Sequence, residues 1–175
     1  MKRFLWGCIC NAKARVSLRL VSFDSKLYWE TRYQNGGDSG GGSYGKLAEF
    51  KAEVVNNYVR ERKAETVIEF GCGDGNQLSY FDFPKYIGLD VSRECIERCG
   101  NRYGAESGKS FFLYEPHLFF DSAGFLRADI ALSLDVIYHL VEDAVYHKYM
   151  HDLFASAKKA VIIYSSNTDC QISPK

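Results

Sequence analysis

The stretch Val67-Ile68-Glu69-Phe70-Gly71-Cys72-Gly73-Asp74-Gly75-Asn76 decides the fold of this chain. An apolar run meets an acid, and three glycines then alternate with other residues. Glycines let the backbone turn sharply and approach a ligand closely, because they carry no Cβ. A dinucleotide site needs G-x-G-x-x-G, but Asn76 occupies the position of its third glycine. Glu69 disfavours a pyrophosphate nearby, and it suits a ligand that carries an ammonium group.

Strand and helix patterns alternate along the chain that surrounds this stretch. Short apolar segments rich in β-branched and aromatic residues predict five strands buried on both faces, at 66–70, 86–89, 110–114, 130–134 and 160–164. Helices are predicted at 45–63, 77–81, 93–103 and 142–158, and the segment between the third and fourth strands is predicted to be irregular. This alternation is typical of an α/β, doubly wound parallel sheet, which binds ligands at the carboxyl ends of its strands.

Length and charge bound the function. The 175 residues fit one domain with a sizeable core. The chain has 22 basic and 22 acidic side chains, so its net charge creates no general attraction to nucleic acid or to an anionic membrane. No apolar run approaches the ~20 residues that a membrane-spanning helix needs. We therefore expect neither nucleic acid nor a membrane as a partner.

The cysteines and the N-terminal residues indicate the cellular compartment in which the protein is expected. Six cysteines lie at 8, 10, 72, 95, 99 and 170, without a CxxC pair and without zinc-ribbon spacing. We predict reduced thiols, a cytoplasmic location and no metal site. The apolar run from Phe4 to Cys10 is barely long enough for a signal-peptide core, and polar and basic residues follow it at once, so secretion is disfavoured.

The pattern E-x-G-x-G-x-G from Glu69 to Gly75 resembles motif I of class I S-adenosylmethionine-dependent methyltransferases. The resemblance implies S-adenosylmethionine as the cofactor. It places Gly71, Gly73 and Gly75 in a turn under the methionine and ribose parts, and Glu69 in the network at the methionine end. Asp90 ends the second strand, where an acid accepts hydrogen bonds from ribose hydroxyls. Alternatively, Asp90 caps the following helix, a role that Ser92 could fill instead.

Weaker matches follow the third and fourth strands. Glu115 falls where the family often has an acid near the adenine amino group. The segment "ADIALSLDVIYHLVED" resembles the family's motif IV, and it places Asp135, Tyr138 and His139 past the end of the fourth strand. We expect Asp135 to contribute to the cofactor site and Tyr138 and His139 to be catalytic. His139 could accept a proton from a substrate hydroxyl or amine, or it could bond a loop carbonyl.

The N-terminal segment also resembles part of this family. "YWETRY" is similar to the W-x-x-R-Y entry segment of many small-molecule methyltransferases. The loop "QNGGDSGGGSYG" has six glycines in twelve residues and is predicted to be mobile. In this interpretation residues 1–45 form an extension and a lid, and residues 46–175 bind the cofactor. The lid residues are Trp29, Arg32, Tyr33, Ser43 and Tyr44; alternatively, Trp29 and Tyr33 merely pack on the sheet.

One departure from the family concerns the sheet. A Rossmann-like sheet of this family normally has seven strands, of which the last two form a hairpin. Here we expect five core strands in the order 3-2-1-4-5, without the hairpin. Either the chain is truncated or a partner covers the fifth strand, and self-association through residues 161–165 is possible because an uncovered edge strand invites pairing. The alternating segment "RVSLRLV" could cover this edge instead.

Three functions remain open. The resemblance favours methyl transfer to a small-molecule or sugar-like acceptor. A relative that binds the cofactor but is inactive is the second possibility. Another Rossmann-like enzyme, such as a nicotinamide dehydrogenase, is the third.

Overall fold

A single parallel sheet organises the protein, which we describe from a computed structural model for residues 23–166. Its strands are β1 (Thr66–Phe70), β2 (Lys85–Asp90), β3 (Lys109–Leu113), β4 (Ala128–Leu134) and β5 (Ala157–Tyr164). They pair in the order β3-β2-β1-β4-β5, and each pair is parallel. The predicted fold class and strand order are therefore confirmed.

Helices connect most of these strands. They are α1 (Ser25–Gln34), α2 (Gly45–Glu61), α3 (Arg93–Tyr103) and α4 (Asp143–Ala155), and 3₁₀ turns occupy Gly41–Ser43, Gln77–Tyr80 and Ile137–His139. The helix α3 has its predicted bounds. The helix α4 ends earlier than predicted, because the chain must already pair with β4 at Ala157. The sequence patterns did not predict the helix α1, whose N-cap is Asp24; the Asp24 side chain accepts a hydrogen bond from the Leu27 amide.

The core lies on both faces of the central strands. One cluster packs α2 and α3 against the sheet and includes Val55, Val59, Tyr103 and Ile130. The other lies under α4 and includes Phe70, Tyr114, Tyr149 and Leu153. Both faces of β1 are thus covered. The segment that contains Gly71, Gly73 and Gly75 follows directly at the carboxyl end of β1.

The prediction that all five strands are buried on both faces is wrong for the outer strands. Burial alternates along β3, and the side chain of Phe112 is 47% exposed. The reason is that residues 114–127, which connect β3 to β4, form no helix and leave this face of β3 uncovered. On the other edge of the sheet, Ile163 of β5 is 37% exposed.

The glycine-rich loop, which the sequence predicts to be mobile, is hydrogen-bonded to distant parts of the chain. The Arg98 guanidinium of α3 donates to the carbonyls of Tyr33 at 2.6 Å and Gly37 at 3.0 Å. The Asn76 side chain donates to the Ser43 carbonyl at 2.7 Å. Polar side chains from distant parts of the chain therefore satisfy the loop backbone, and glycine content alone could not reveal them.

Several expectations concern the rest of the chain. Cys72, Cys95 and Cys99 are free and buried, whereas Cys8, Cys10, Cys170, the N-terminal apolar run and the segment "RVSLRLV" lie outside the described residues. None of the helices within residues 23–166 is both long enough and apolar enough to cross a membrane.

Candidate functional site

A cavity of about 400 Å³ lies at the carboxyl ends of β1, β2 and β4. The helix α1 and the glycine-rich loop roof it, and the segment that starts α4 closes one side. Most of the predicted site residues line this cavity: Trp29, Glu69, Gly71, Gly73, Asp90, Glu115, Asp135 and His139. Arg32, Tyr44, Gly75 and Tyr138 are not among the lining residues.

The glycine turn leaves room for no side chain. Gly71 and Gly73 have φ angles of 86° and 55°, in the left-handed region. A Cβ on Gly71 would lie 2.4 Å from a methyl carbon of Val136, and one on Gly73 would lie 2.2 Å from the Ser39 hydroxyl oxygen. Gly75 faces the core instead, because its Cβ would lie 2.9 Å from the sulfur of Cys99. Two of these glycines therefore shape the cavity floor, and the third allows α3 to pack closely.

Asp90 joins the end of β2 to this turn. One carboxylate oxygen accepts the Gly73 amide at 2.9 Å, and the other accepts the Ser92 amide at 2.9 Å. Ser92 caps α3 through the Cys95 amide, so Asp90 does not cap that helix. Burial raises the pKa of Asp90 to about 6, against the lowering effect of these two hydrogen bonds. Asp90 lines the cavity, and each of its oxygens can accept a further bond.

Glu69 is a buried carboxyl group at the end of β1, with 2% of its surface exposed. The Tyr86 hydroxyl donates to it at 2.5 Å. Burial raises the pKa of Glu69 to about 7, although the hydrogen bond from Tyr86 and the positive charge of Lys51 oppose the shift. The group therefore titrates near neutral pH, where a cationic ligand would favour its charged form.

Asp135 follows β4 in a left-handed conformation with a φ angle of 61°. Its carboxylate accepts Lys51 of α2 at 2.6 Å and the Tyr138 hydroxyl at 3.2 Å. Lys51 is 2% exposed and was missed from the sequence. Its position between Ala48 and Val55, on the buried face of α2, was the available signal. A buried charge is stabilised when it is paired, so Lys51 and Asp135 hold each other in place.

An aromatic group stands over the end of β4. The rings of Trp29 and His139 meet edge to face with centroids 4.8 Å apart. Burial lowers the pKa of His139, with Asp135 opposing this effect and Arg32 adding to it, so its imidazole is neutral at pH 7. Arg32 itself turns toward the loop, where it donates to the Asp38 carbonyl at 2.8 Å. The neutral His139 ring can thus accept a proton at the cavity wall.

Asp74 connects the roof of the cavity to its floor, and the sequence patterns treated it as a spacer between glycines. Its carboxylate accepts the Ser39 amide at 2.9 Å, the Tyr44 hydroxyl at 2.7 Å and the Asn76 amide at 3.0 Å. Burial alone would raise the pKa of Asp74, but these hydrogen bonds outweigh it and lower the pKa. Tyr44 therefore acts on the loop, through Asp74, and does not line the cavity.

Two polar contacts connect the start of α1 to the side of the cavity formed by the segment after β3 and the start of α4. Lys26 donates to both oxygens of Glu115 at 2.5 Å. The Ser25 amide donates to one oxygen of Glu142 at 2.8 Å. Glu142, which lines the cavity, was not predicted as a site residue. These contacts link α1 to the segment after β3 and to the start of α4.

Comparison with protein families identifies the family of this chain. Residues 44–171 match the family model described as a methyltransferase domain. The chain belongs to the class I S-adenosylmethionine-dependent methyltransferase family. The resemblance first seen in Glu69 to Gly75 is therefore confirmed.

Similar methyltransferases differ in what their names say they act on. The small RNA 2'-O-methyltransferase of Arabidopsis thaliana is 30% identical over 108 residues, which are 55% of this chain and 12% of that protein. A crystal structure of the methyltransferase domain of bacterial CtHen1-C is 26% identical with a TM-score of 0.58, and the match covers 67% of this chain and 65% of that one. The N-methyltransferase NodS from Bradyrhizobium japonicum WM9, solved with S-adenosylhomocysteine, shares the fold at 14% identity and a TM-score of 0.62, over 77% of this chain and 69% of that one. The chain thus spans less than two thirds of the length of the Arabidopsis thaliana protein and of the CtHen1-C domain.

The side chains of this methyltransferase cavity fit the family's cofactor. S-adenosylmethionine carries an ammonium group, a positively charged sulfur and two ribose hydroxyls, and the cavity offers the carboxyl groups of Glu69, Asp90 and Asp135. Gly71 and Gly73 also line the cavity, and a Cβ on either would collide with Val136 or Ser39. A buried side-chain oxygen of Gln77, another lining residue, has no hydrogen-bond partner within residues 23–166. Within the same residues, no cluster of three or more His, Cys, Asp or Glu could hold a metal ion.

Proposed function

We propose that this chain binds S-adenosylmethionine in the cavity and transfers its methyl group to a small-molecule or sugar-like acceptor. The observation that carries the proposal is the bare glycine turn between two buried carboxyl groups, Glu69 and Asp90. The bound cofactor supplies an activated methyl group on a positively charged sulfur. The chain then has to hold, orient and dehydrate the two reactants.

Each predicted cofactor residue receives a role that its contacts support. Asp90 accepts the ribose hydroxyls, since both of its oxygens retain accepting capacity. Glu69 and the Asp135–Lys51 pair provide the electrostatic environment of the methionine end. Gly71 and Gly73 form the floor. Glu115 keeps lone pairs for the adenine amino group beside its bond to Lys26.

Of the remaining predicted residues, Trp29, Arg32 and Tyr44 act on the roof of the cavity and Gly75 acts in the core. Trp29 covers the cavity and packs on His139. Arg32 and Tyr44 hold the loop through Asp38 and Asp74. Gly75 permits the close packing of α3. These contacts exclude water from the cavity, which strengthens the electrostatic interactions inside it.

His139 is the candidate general base. Its neutral imidazole lines the cavity and can accept the proton that an acceptor hydroxyl or amine loses. Tyr138 donates its hydroxyl hydrogen to Asp135, and burial raises the pKa of that tyrosine to about 12. Tyr138 therefore positions Asp135 and is not ionised near neutral pH.

A ribose hydroxyl of RNA is a second candidate acceptor. The 30% identity to the Arabidopsis thaliana small RNA 2'-O-methyltransferase favours it. His139 would act on that hydroxyl as on any other sugar hydroxyl. The zero net charge, in contrast, supplies none of the general attraction that supports binding to RNA.

The test has two steps. Calorimetry of the chain with S-adenosylhomocysteine and, separately, with NAD establishes the cofactor. Transfer of a radiolabelled methyl group is then measured with monosaccharides, nucleotide sugars, small amines and short RNAs that end in a ribose or a 2'-deoxyribose. We expect binding of S-adenosylhomocysteine and transfer to a sugar. Binding of NAD alone would overturn the proposal, and binding without transfer to any acceptor would identify an inactive relative.

A further inference from the structure

Lys51 is a buried cation behind the cofactor cavity. Its side chain is 2% exposed, it is not among the residues that line the cavity, and its ammonium group lies 2.6 Å from a carboxylate oxygen of Asp135. The same group lies 5.4 Å from the centre of the Tyr164 ring at the end of β5. A buried ion pair contributes little net stability, because the loss of hydration offsets the attraction between the charges. The pair is therefore better explained by the segment that it holds.

That segment begins at Asp135, which has a strained backbone conformation. Its φ angle of 61° lies in the left-handed region, where a residue other than glycine persists only if its surroundings hold it. The Asp135 amide donates to the Tyr164 carbonyl at 2.8 Å. The oxygen that accepts Lys51 also packs on Gly42, since a Cβ on Gly42 would lie 2.6 Å from it. Contacts from α2, β5 and the glycine-rich loop thus hold Asp135.

The direction of the chain at Asp135 determines where His139 lies. The 3₁₀ turn Ile137–His139 follows Asp135 after a single residue, and the His139 amide donates to the Val136 carbonyl at 2.9 Å. The second carboxylate oxygen of Asp135 accepts the Tyr138 hydroxyl at 3.2 Å, and the rings of Tyr138 and His139 have centroids 4.3 Å apart. A change at Asp135 is therefore transmitted to the His139 ring through the backbone and through a packed side chain.

We propose that Lys51 is a positioning residue for methyl transfer: its pair with Asp135 holds the turn after β4 so that the His139 ring faces the methyl acceptor. The inference rests on the proposed function, in which His139 accepts the proton that the acceptor loses. Lys51 itself exchanges no proton and touches no reactant, since it lies outside the cavity lining. Its effect is geometric, and a misplacement of about 1 Å can reduce a rate roughly a hundredfold.

The experiment follows the position of the His139 ring in the free protein, so it needs no acceptor. The rings of Trp29 and His139 have centroids 4.8 Å apart, and a neighbouring aromatic ring displaces the proton resonances of a histidine. Nuclear magnetic resonance of the full chain with isotopically labelled histidine observes its four histidines, and His139→Gln assigns the signal of His139. The wild type is compared with Lys51→Met, which keeps the aliphatic chain and removes the charge. The control is Lys46→Met, which changes an exposed lysine near the start of the same helix.

The His139 resonances distinguish the outcomes. In Lys51→Met they should lose most of the displacement that Trp29 causes, while the signals of the other histidines stay unchanged. In Lys46→Met all histidine signals should match the wild type. Wild-type His139 resonances in Lys51→Met would overturn the inference and leave the proposed function intact. Failure of the wild type to bind S-adenosylhomocysteine in calorimetry would overturn the proposed function.

A double variant covers the case in which Lys51→Met does not fold because Asp135 is left buried without a counter-charge. Lys51→Met/Asp135→Asn removes both charges, and asparagine tolerates the left-handed conformation. This variant should fold, as circular dichroism can verify, and its His139 resonances should also lose the displacement, since the ion pair is missing. Wild-type resonances in the folded double variant would overturn the inference.

Kinetics with an acceptor from the panel above give the functional measurement. We expect kcat of Lys51→Met to fall by roughly tenfold to a hundredfold, while KM for the acceptor changes little, because the variant misplaces the base and leaves the cavity lining intact. Lys46→Met should keep the wild-type kcat. Weaker binding of S-adenosylhomocysteine with an unchanged kcat would show that Lys51 supports cofactor binding only, and it would overturn the inference.

Discussion

At the residue scale, Asp90 combines two features: it accepts the Gly73 amide of the glycine turn and it lines the cavity. Asp90→Ala should weaken binding of S-adenosylhomocysteine by about one to two orders of magnitude, since hydrogen bonds to a charged group contribute roughly 1.5–3 kcal/mol. Calorimetry measures the loss, and circular dichroism checks that the fold is retained. Asp82→Ala, which changes an exposed aspartate outside the cavity lining, is the control and should bind normally. Unchanged affinity in Asp90→Ala would remove Asp90 from the site.

Cofactor affinity should also depend on pH through Glu69 and Asp90. Both pKa values are raised, to about 7 and about 6, and a cationic or hydroxyl-bearing ligand favours the ionised forms. Affinity should therefore be highest above pH 8 and fall as the pH drops through 7 and 6. Calorimetric titrations between pH 5 and pH 9 measure this dependence. In Glu69→Gln the step near pH 7 should disappear while the step near pH 6 remains; affinity that is constant over the whole range would contradict both assignments.

The ionisation of Glu69 and Asp90 also affects the folding stability of the free protein, with a pH dependence opposite to that of cofactor affinity. Their pKa values in the folded chain lie above their ordinary values of 4.5 and 3.8. Folding therefore favours their protonated forms, and their contribution to stability is greatest below pH 4 and is lost as the pH rises to 7. The cofactor and the fold thus prefer different protonation states of one site.

Gly73 tests the shape of the floor. Gly73→Val should abolish cofactor binding while most of the secondary structure persists. The side chain would be strained at a φ angle of 55°, and its Cβ would collide with the Ser39 hydroxyl oxygen at 2.2 Å. Gly100→Ala in α3 is the matched control, because a Cβ there meets nothing within 4 Å. We expect this control to bind normally and to gain roughly 0.5–1 kcal/mol of stability. Normal binding by Gly73→Val would mean that the turn does not contact the ligand.

At the scale of elements, Asp74 decides whether the glycine-rich loop closes the cavity. Asp74→Ala removes the acceptor for the Ser39 amide and the Tyr44 hydroxyl, and we expect residues 38–44 to lose protection from hydrogen exchange by roughly 1–3 kcal/mol. Mass spectrometry of exchanged peptides measures this loss. Tyr44→Phe removes one hydroxyl only and should give a smaller effect in the same peptides. If protection in Asp74→Ala equals that of the wild type, the loop is held by the bonds from Arg98 and Asn76 instead.

The helix α1 shows why a short motif can have several roles. Its residues in "YWETRY" do not form one uniform lid. Trp29 faces the cavity, Tyr33 is buried with its hydroxyl 3.0 Å from that of Ser39, and Arg32 bonds the loop. Trp29 and Tyr33 lie four residues apart on the same face of α1 and both line the cavity, whereas Arg32 points to the loop.

At the scale of the whole molecule, β5 is an edge strand among the described residues. Its outer part is apolar, and its lysines 158 and 159 lie at the start of the strand. We predict that the chain self-associates through residues 161–165 or is marginally stable alone, because an edge without charges invites pairing. Light scattering at several concentrations tests the first outcome and thermal melting tests the second.

A pair of variants makes this prediction specific. Ile163→Lys places a charge on the exposed part of β5 and should reduce association, whereas Val54→Lys places the same charge on the exposed face of α2 and should not. A monomer at all concentrations with a high melting temperature would contradict both outcomes. It would point to coverage of this edge by a part of the chain outside residues 23–166.

Local patterns in the sequence determined the strands and the position of the glycine turn, whereas the strand order was expected from the resemblance to the methyltransferase family. β1 and β4 are apolar runs, α3 has clear helical periodicity, and the glycines from Gly71 to Gly75 follow a strand directly. Each of these features depends on neighbours within a few residues, since the side-chain periods of strands and helices are local properties. Asp90 could be placed for the same reason, because it ends a strand adjacent to the turn.

Only the tertiary structure decided which polar groups pair at and around the cavity. Asp74 and Ser39 are 35 residues apart, Gln77 and Ala48 are 29 apart, and Lys51 and Asp135 are 84 apart. Their pairing depends on how α1 and α2 pack over the sheet, and no local period encodes it. The raised pKa values of Glu69 and Asp90 also follow from burial, which a sequence pattern describes only as a tendency. The exposed face of β3 has the same origin, because it depends on a crossover that forms no helix to cover Phe112.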